Sequence, residues 1–329
     1  MLLSKAATLA SRLNQASEDL NAHRQSLNAQ IGQTITEIND LVSQIAELNR
    51  KISRAETTGQ QANDLRDQRG RLLNDLAERI EASVIEDATG QLTIFAGRGQ
   101  VLVEKGDAHR LVGVPVPGNN GLLDVQYDAG GGMQFSIAPV ISSGRLKGLL
   151  DVRDSTIPDL LASLDTLTAT LVTEVNQQHR LGYGLDGSTG QNFFAPGGLT
   201  AGTISVVLTD RRQVAASDTA AGIPGNNVNA LALVALQGRS FPALGNATLN
   251  AYYSTIAAGL GSAAQAADRD LAAQQIMHEQ LEAHRAEVSS VSLDEEMVNM
   301  LKYQRAFEAA SRLIVMADEL MQTILTLKR

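Results

Sequence analysis

Five histidines are the first residues to test for chemistry. His278 and His284 flank Glu279 in HEQLEAH. A zinc peptidase helix needs H-E-x-x-H, which sets two imidazoles four apart on one face with the glutamate beside them. Six-residue spacing turns the second ring to roughly the opposite side of a helix, so this segment reads as a solvated surface. His23 lies on an apolar row and reads as a packed histidine. His109 and His179 have no carboxylate or serine close in sequence that would orient a triad.

Other motifs fare no better. GYGLDG sets Gly182, Gly184 and Gly187 in G-x-G-x-x-G. A dinucleotide site needs that pattern between a strand and a following helix. Here it follows a helical stretch and leads into STGQNFF, which reads as a helix stop and a turn. DGSTG is too short and too poor in carboxylates for a calcium loop. Asp294, Glu295 and Glu296 need no acid–base role, because a helix N-terminus favours negative charge. NAT at Asn246 is a glycosylation triplet whose use depends on compartment. Asp107, Asp124 and Asp128 are scattered through a β-rich stretch. No catalytic, metal or cofactor constellation emerges.

Composition narrows the class further. Apolar residues make up 43% of the 329, ample for a core in more than one domain. Aromatics are 3% and Trp is absent, so Ala and Leu carry the packing, which suits helices. The net charge of −9 argues against a broad nucleic-acid surface. Absence of Cys removes disulfides, thiolate zinc sites and cysteine nucleophiles. No apolar run is long enough to span a membrane. MLLSKAATLASRLNQ lacks a basic start and a long apolar region, and is not read as a secretory signal.

The elements are mostly helical. Residues 4–54 read as one helix of roughly 75 Å. Ala6, Leu13, Leu20, Leu27, Thr34, Leu41 and Leu48 recur every seven residues. A companion row runs Leu9, Ala16, His23, then shifts to Ile31, Ile38, Ile45 and Ile52, the drift of a 3.6-residue helix against a heptad. A second helix over about 62–82, with Asn63 or Asp64 as candidate cap, pairs with the first as an antiparallel hairpin. The period then drops to two. SVIEDATGQLTIFAGRGQVLVEKG, LLDVQY and MQFSIA read as strands between Gly- and Pro-rich turns, a β-rich insert over 83–143. A helix follows over 144–182, with Pro158 in its first turn and Gly182 as its stop. Residues 183–262 are mixed, with GTISVVLTD as a strand and NALALVALQ as a short helix. Residues 263–329 read as a helical hairpin. The division is therefore 1–82, 83–143, 144–182, 183–262 and 263–329. The fold class is mainly α with a β-rich insert, a long antiparallel bundle or coiled-coil core carrying an outward β domain.

The last arm has its own signature. Ser292 and Glu295 match the S-x-x-E capping box. Met300, Phe307, Ile314 and Met321 are spaced by seven, and Tyr303, Ala310, Ala317 and Ile324 follow each by three. This seam suits coiled-coil packing; one arm of an intramolecular bundle explains the periodicity equally well.

ANDLRDQRGRLLNDLAERI, the stretch from GRLKGLLDVRD to STGQNFF, NALALVALQ and VSLDEEMVNMLKYQRAFEAASRLIVMADELMQTIL resemble, in order, the flagellar hook-associated protein FlgK family. The C-terminal helix is also similar to those of other flagellar axial proteins. The resemblance implies a non-enzymatic, cofactor-free structural subunit of the extracellular bacterial flagellum, at the hook–filament junction. Helices from both chain ends would form an inner core with β-rich domains outside. Implied partners are itself in a ring of about eleven subunits, the hook protein, a second junction protein, and an export chaperone on the C-terminal helix, with no nucleic acid and no membrane. Export would run through the flagellar type III pathway without a cleaved signal. Family members begin with a further helical segment, so an N-terminally shortened form is expected, its seam on Met300, Tyr303, Phe307, Ile314, Met321 and Ile324 left for the absent helix and for neighbouring subunits. A reading from another class makes the β-rich insert a cell-wall or carbohydrate-active enzyme on a helical stalk, which requires paired carboxylates in a cleft. A third is a cytoplasmic coiled-coil scaffold.

Overall fold

A computed structural model describes residues 1–57, 61–87, 89–289 and 293–327, and the side chains outside 285–296 and 318–327. The chain forms two units, Met1–Ile256 and Ala257–Arg329. It is mainly helical with a β-rich insert.

The first unit is organised on α1, Leu2–Glu56. Its 55 residues give a rod of about 80 Å. The apolar stripe is buried in two separate stretches. Ala10 and Leu13 belong to one core, and Ile31, Ile35, Ile38, Leu41, Val42 and Ile45 to another. Between Leu13 and Ile31 no residue of α1 is fully buried. Leu9 and His23, expected to be packed, are exposed. A straight helix drifts off a heptad row, so the early members of the second row turn away from the face that its Ile residues occupy.

α2, Asn63–Arg79, returns antiparallel along α1. Arg66 bonds Glu56 at 2.7 Å, Arg69 bonds Asn49 at 2.8 Å, and Arg79 bonds Glu37 at 2.9 Å. The Arg66 hydrogen bonds hold the Glu56 carboxyl down at about 2. Neither Asn63 nor Asp64 caps α2. The N-cap is Ala62, whose N–H donates instead to the Glu56 carboxylate at 3.1 Å.

The insert consists of two antiparallel sheets. Strands β1 (Ser83–Glu86), β2 (Leu92–Ala96), β3 (Gln100–Glu104) and β4 (Asp107–Ala108) form one, in that order. Strands β5 (Arg110–Pro115), β6 (Leu123–Asp128) and β7 (Gln134–Ser136) form the other. The insert covers the second α1 stripe: Ile94, Leu102, Leu111 and Val125 share one core with Ile31, Ile38 and Ile45. Each such isoleucine, fully buried, contributes about 1.5–3 kcal/mol. Amides on α1 fix where the strands lie. Asn28 Oδ1 accepts from Leu123 N, Asn39 exchanges two bonds with the Leu111 backbone, and Asn49 does the same with Leu92. The buried backbone groups of the strands thus find partners on a helix.

Residues 145–179 form one uninterrupted helical run. α3 (Arg145–Asp151) passes through a π-helical turn (Val152–Thr156) into α4 (Ile157–His179). Pro158 is in the first turn of α4, as expected, but that turn continues a helical run and does not begin one. Nor does Gly182 end α4 through a left-handed conformation. It is required because a Cβ there would lie 2.2 Å from Asn229 Nδ2 and 2.8 Å from the Ser217 carbonyl.

Beyond α4, GTISVVLTD forms no strand; its pairing is a single bridge, Phe194 to Val206. Ile204 and Leu208 from this stretch fill the first core with Ala10, Leu13, Leu164 and Val172. NALALVALQ supplies α5, Val228–Ala235. A third cluster joins Leu167 of α4 with Leu236, Phe241 and Leu244.

α6 runs Leu249–Ser289 and α7 runs Leu293–Leu327. Leu260, Leu271, Ile276 and Leu281 of α6, and the large apolar residues from Met297 to Met316 of α7, are exposed. The turn expected between the two arms of 263–329 lies outside the described residues, as do the side chains that flank it.

Candidate functional site

The seam on α7 is uncovered. Met300 is 65% exposed, Tyr303 and Phe307 74%, and Ile314 70%. Met321 and Ile324 lie on α7 with side chains outside the described set. Ser292 lies outside the described residues and Glu295 has no described side chain, so the capping box falls there too. Ala310 and Ala317 are exposed between the larger members. Heptad counting misses a second group: Met297, Val298, Leu301, Leu313, Val315 and Met316 are also exposed. At about 100° per residue, Val298 and Met316 fall about 160° from Met300. A full helical wheel finds them where a heptad template does not. A helix apolar on several sides is one that is normally enclosed.

The chemistry candidates stay apart. His278 and His284 are exposed on α6. His109 tilts against Tyr127, with ring centroids 5.9 Å apart. Among the described residues no group of three or more His, Asp or Glu is placed to hold a metal ion. Asp124 accepts from Ser136 Oγ at 2.8 Å and Asp128 from Gly130 N at 2.9 Å, both local bonds of one sheet. Asp107 lies on the other sheet. A concavity of about 280 Å³ between Tyr183, Val214 and Pro224 has no carboxylate or histidine among its lining residues. The glycine-rich stretch is a closed turn, with Gly184 N bonded to the Ser188 carbonyl at 2.7 Å. No described helix is long and apolar enough to cross a membrane.

His179 is the one buried histidine among the described residues. Its Nδ1 donates to the Gln191 carbonyl at 2.7 Å, while its Nε2 accepts from Ala215 N–H at 3.0 Å. Burial pushes its pKa below the usual value. Both ring nitrogens are engaged, in the neutral tautomer, in holding two loops onto α4. Beside it Asn176 accepts from Phe193 N and Phe194 N and donates to the Phe194 carbonyl. These residues position chain.

The described residues thus give a helical shaft covered by its own insert and a last helix whose apolar side chains are exposed. Comparison with known proteins makes this particular. Residues 1–194, more than half the chain, match the family described as "Flagellar hook-associated protein FlgK helical domain". Residues 283–327 match "Flagellar basal body rod FlgEFG protein C-terminal". Flagellar hook-associated protein 1 of Bacillus subtilis is 28% identical over 98% of this chain and 70% of its own length. That of Salmonella typhimurium is 31% identical over 60% of this chain and 36% of its own. The structure of the flagellar hook junction protein FlgK from Burkholderia pseudomallei superposes with a TM-score of 0.53 and 32% identity, covering 59% of this chain and 35% of that one. The chain belongs to the flagellar hook-associated protein FlgK family, and is a structural component of the bacterial flagellum.

Proposed function

We propose that the protein is a subunit of the hook–filament junction, assembling through the apolar faces of α7 without enzymatic activity. The observation that carries this is the exposure of Met300, Tyr303, Phe307 and Ile314 in a member of this family. Water penalises such a surface, and a ring of about eleven copies, contacting the hook protein on one side and a second junction protein on the other, would cover it. Met321 and Ile324 extend the same seam by spacing. Before assembly the helix suits an export chaperone, which would take an amphipathic helix in an apolar groove. The assembled protein is extracellular, exported through the flagellar type III pathway. The β-rich insert and the division at 83–143, 144–182, 183–262 and 263–329 serve that assembly, with the insert covering the shaft.

Phe307→Asp tests the reading. Phe307 is exposed, so the substitution should change the stability of the isolated chain by no more than about 0.5 kcal/mol. Flagella built with the variant should lack filament and the variant should leave the cell, and a chain lacking residues 292–329 should lose its chaperone. Normal filaments on Phe307→Asp cells would refute the assignment of this face.

A further inference from the structure

The α3–α4 run contains a feature that the fold does not explain by packing. Its middle is wound as a π-helix at Val152–Thr156, and Ile157 N–H reaches back five residues to the Val152 carbonyl. Continuing that pattern, the Arg153 carbonyl would receive its bond from residue 158. That residue is Pro158, which has no N–H. The Arg153 carbonyl is thus orphaned by sequence, in a helix interior where such a group is costly. It is bonded from outside the helix: Arg24 of α1 donates Nε to it at 3.0 Å.

The same point gathers further polar groups. Arg153 is itself buried, with a bidentate pair to Asp154 at 2.9 and 2.7 Å and a bond to Asn28 Oδ1 at 2.8 Å. Asn28 Oδ1 also accepts from Leu123 N at the start of β6. Arg24 reaches Asn119 Oδ1 in the β5–β6 connection at 3.4 Å. This node lies on the stretch of α1 between Leu13 and Ile31, where no residue is fully buried. On one side lies the core of Ala10, Leu13, Leu164 and Val172, and on the other that of Ile31, Ile38 and the two sheets.

We propose that Arg24 supplies the hydrogen-bond donor that Pro158 lacks, and that the Arg24–Arg153–Asp154–Asn28 node is a clamped hinge. It sets how the two cores of the shaft are held, by polar bonds that can open and reclose without exposing an apolar core. A π turn suits this role, since its looser winding lets a helix change direction locally.

Hydrogen exchange on the full chain tests it, using wild type, Arg24→Met, Pro158→Ala and the double variant. In Arg24→Met, amides of 153–162 should exchange about three- to tenfold faster, the loss of one side-chain hydrogen bond to the Arg153 carbonyl. Amides at Ile38, Ile94 and Val172 should keep wild-type protection, which shows that both cores stay folded. In Pro158→Ala the amide gained at position 158 can bond the Arg153 carbonyl, so adding Arg24→Met should change exchange less than about twofold. The absence of cysteine allows spin labels at Asp107→Cys and Leu199→Cys, one on the sheet side of the node and one on the side of the Ala10–Leu164 core. Their distance distribution should broaden in Arg24→Met and narrow again in the double variant. Equal acceleration in both backgrounds, an unprotected amide at position 158 of Pro158→Ala, or an unbroadened distribution in Arg24→Met would each overturn the proposal.

Discussion

Replacing Asn49 by Leu keeps the side chain's size and removes four hydrogen bonds from a site closed to water. Asn49 Nδ2 donates to the Leu92 carbonyl at 2.8 Å and the Lys105 carbonyl at 2.6 Å. Its Oδ1 accepts from Arg69 at 2.8 Å and from Leu92 N at 3.2 Å. Four bonds at about 1 kcal/mol net, and Leu92 and Arg69 left short of partners, give a loss of about 3–5 kcal/mol. Against a total of about 5–15 kcal/mol this is a large fraction. Arg69 keeps its bond to the Gly90 carbonyl at 2.7 Å, which keeps the loss near the lower end. Urea unfolding followed by far-ultraviolet dichroism measures it as a lower midpoint at unchanged slope. A second variant isolates the mechanism. Adding Arg69→Met removes the stranded guanidinium, so the double variant should be about 1–3 kcal/mol more stable than the sum of the singles predicts. A single-variant loss under about 1 kcal/mol, or strict additivity, would mean that water or relaxation satisfies these groups, and that α1 does not fix the strands through its amides.

Two further outcomes are expected. The His179 pKa is depressed in the folded chain, so its contribution is full above about 6.5 and falls as pH drops through and below that value toward the folded pKa. Thermal midpoints between pH 7.5 and 5.5 should therefore decline more steeply for wild type than for His179→Leu; equal slopes would remove His179 from the account. At glycines the contrast is between Gly144 and Gly70. Gly144 has φ 88°, and a Cβ there would lie 2.7 Å from the Arg79 and Ile80 backbone, so Gly144→Ala should cost about 2–4 kcal/mol. Gly70 is inside α2 with nothing within 4 Å, so Gly70→Ala should raise stability by about 0.4–1 kcal/mol in the same urea assay.

The legible parts of the fold are those in which one period governs a long stretch. Ile31, Ile38, Ile45 and Ile52 follow such a rule, and all are buried. The change of period near residue 83 likewise marks where β1 begins. Reading fails where long-range contact overrides local preference. GTISVVLTD has strand composition, yet its segment finds no neighbouring strand, and Ile204 and Leu208 pack against helices instead. The asparagines are invisible for a related reason. On a helix, Asn28, Asn39 and Asn49 look like solvent-facing breaks in the stripe. Their role depends on backbone from strands that come much later in the chain. Pro158 marks the first turn of α4 but not that this turn continues an earlier helix, because a proline at a free helix start and one after a π turn can have the same local sequence.

A heptad seam by itself does not say whether its partner lies in the same chain. The stripe of α1 and the seam of α7 both repeat at that spacing, and the first meets sheets whose inner residues match it, Ile94, Leu102 and Val125. The difference lies in polar groups as much as apolar ones. α1 carries buried amides that dock particular backbone atoms, and such groups are favourable only when the intended partner is in place. The described part of the α7 seam, Met300 to Ile314, is apolar apart from the Tyr303 hydroxyl. A surface built that way loses nothing in specific hydrogen bonds while it is unassembled. It gains by burial against any helix of matching spacing, which is what the proposed assembly through α7 would use.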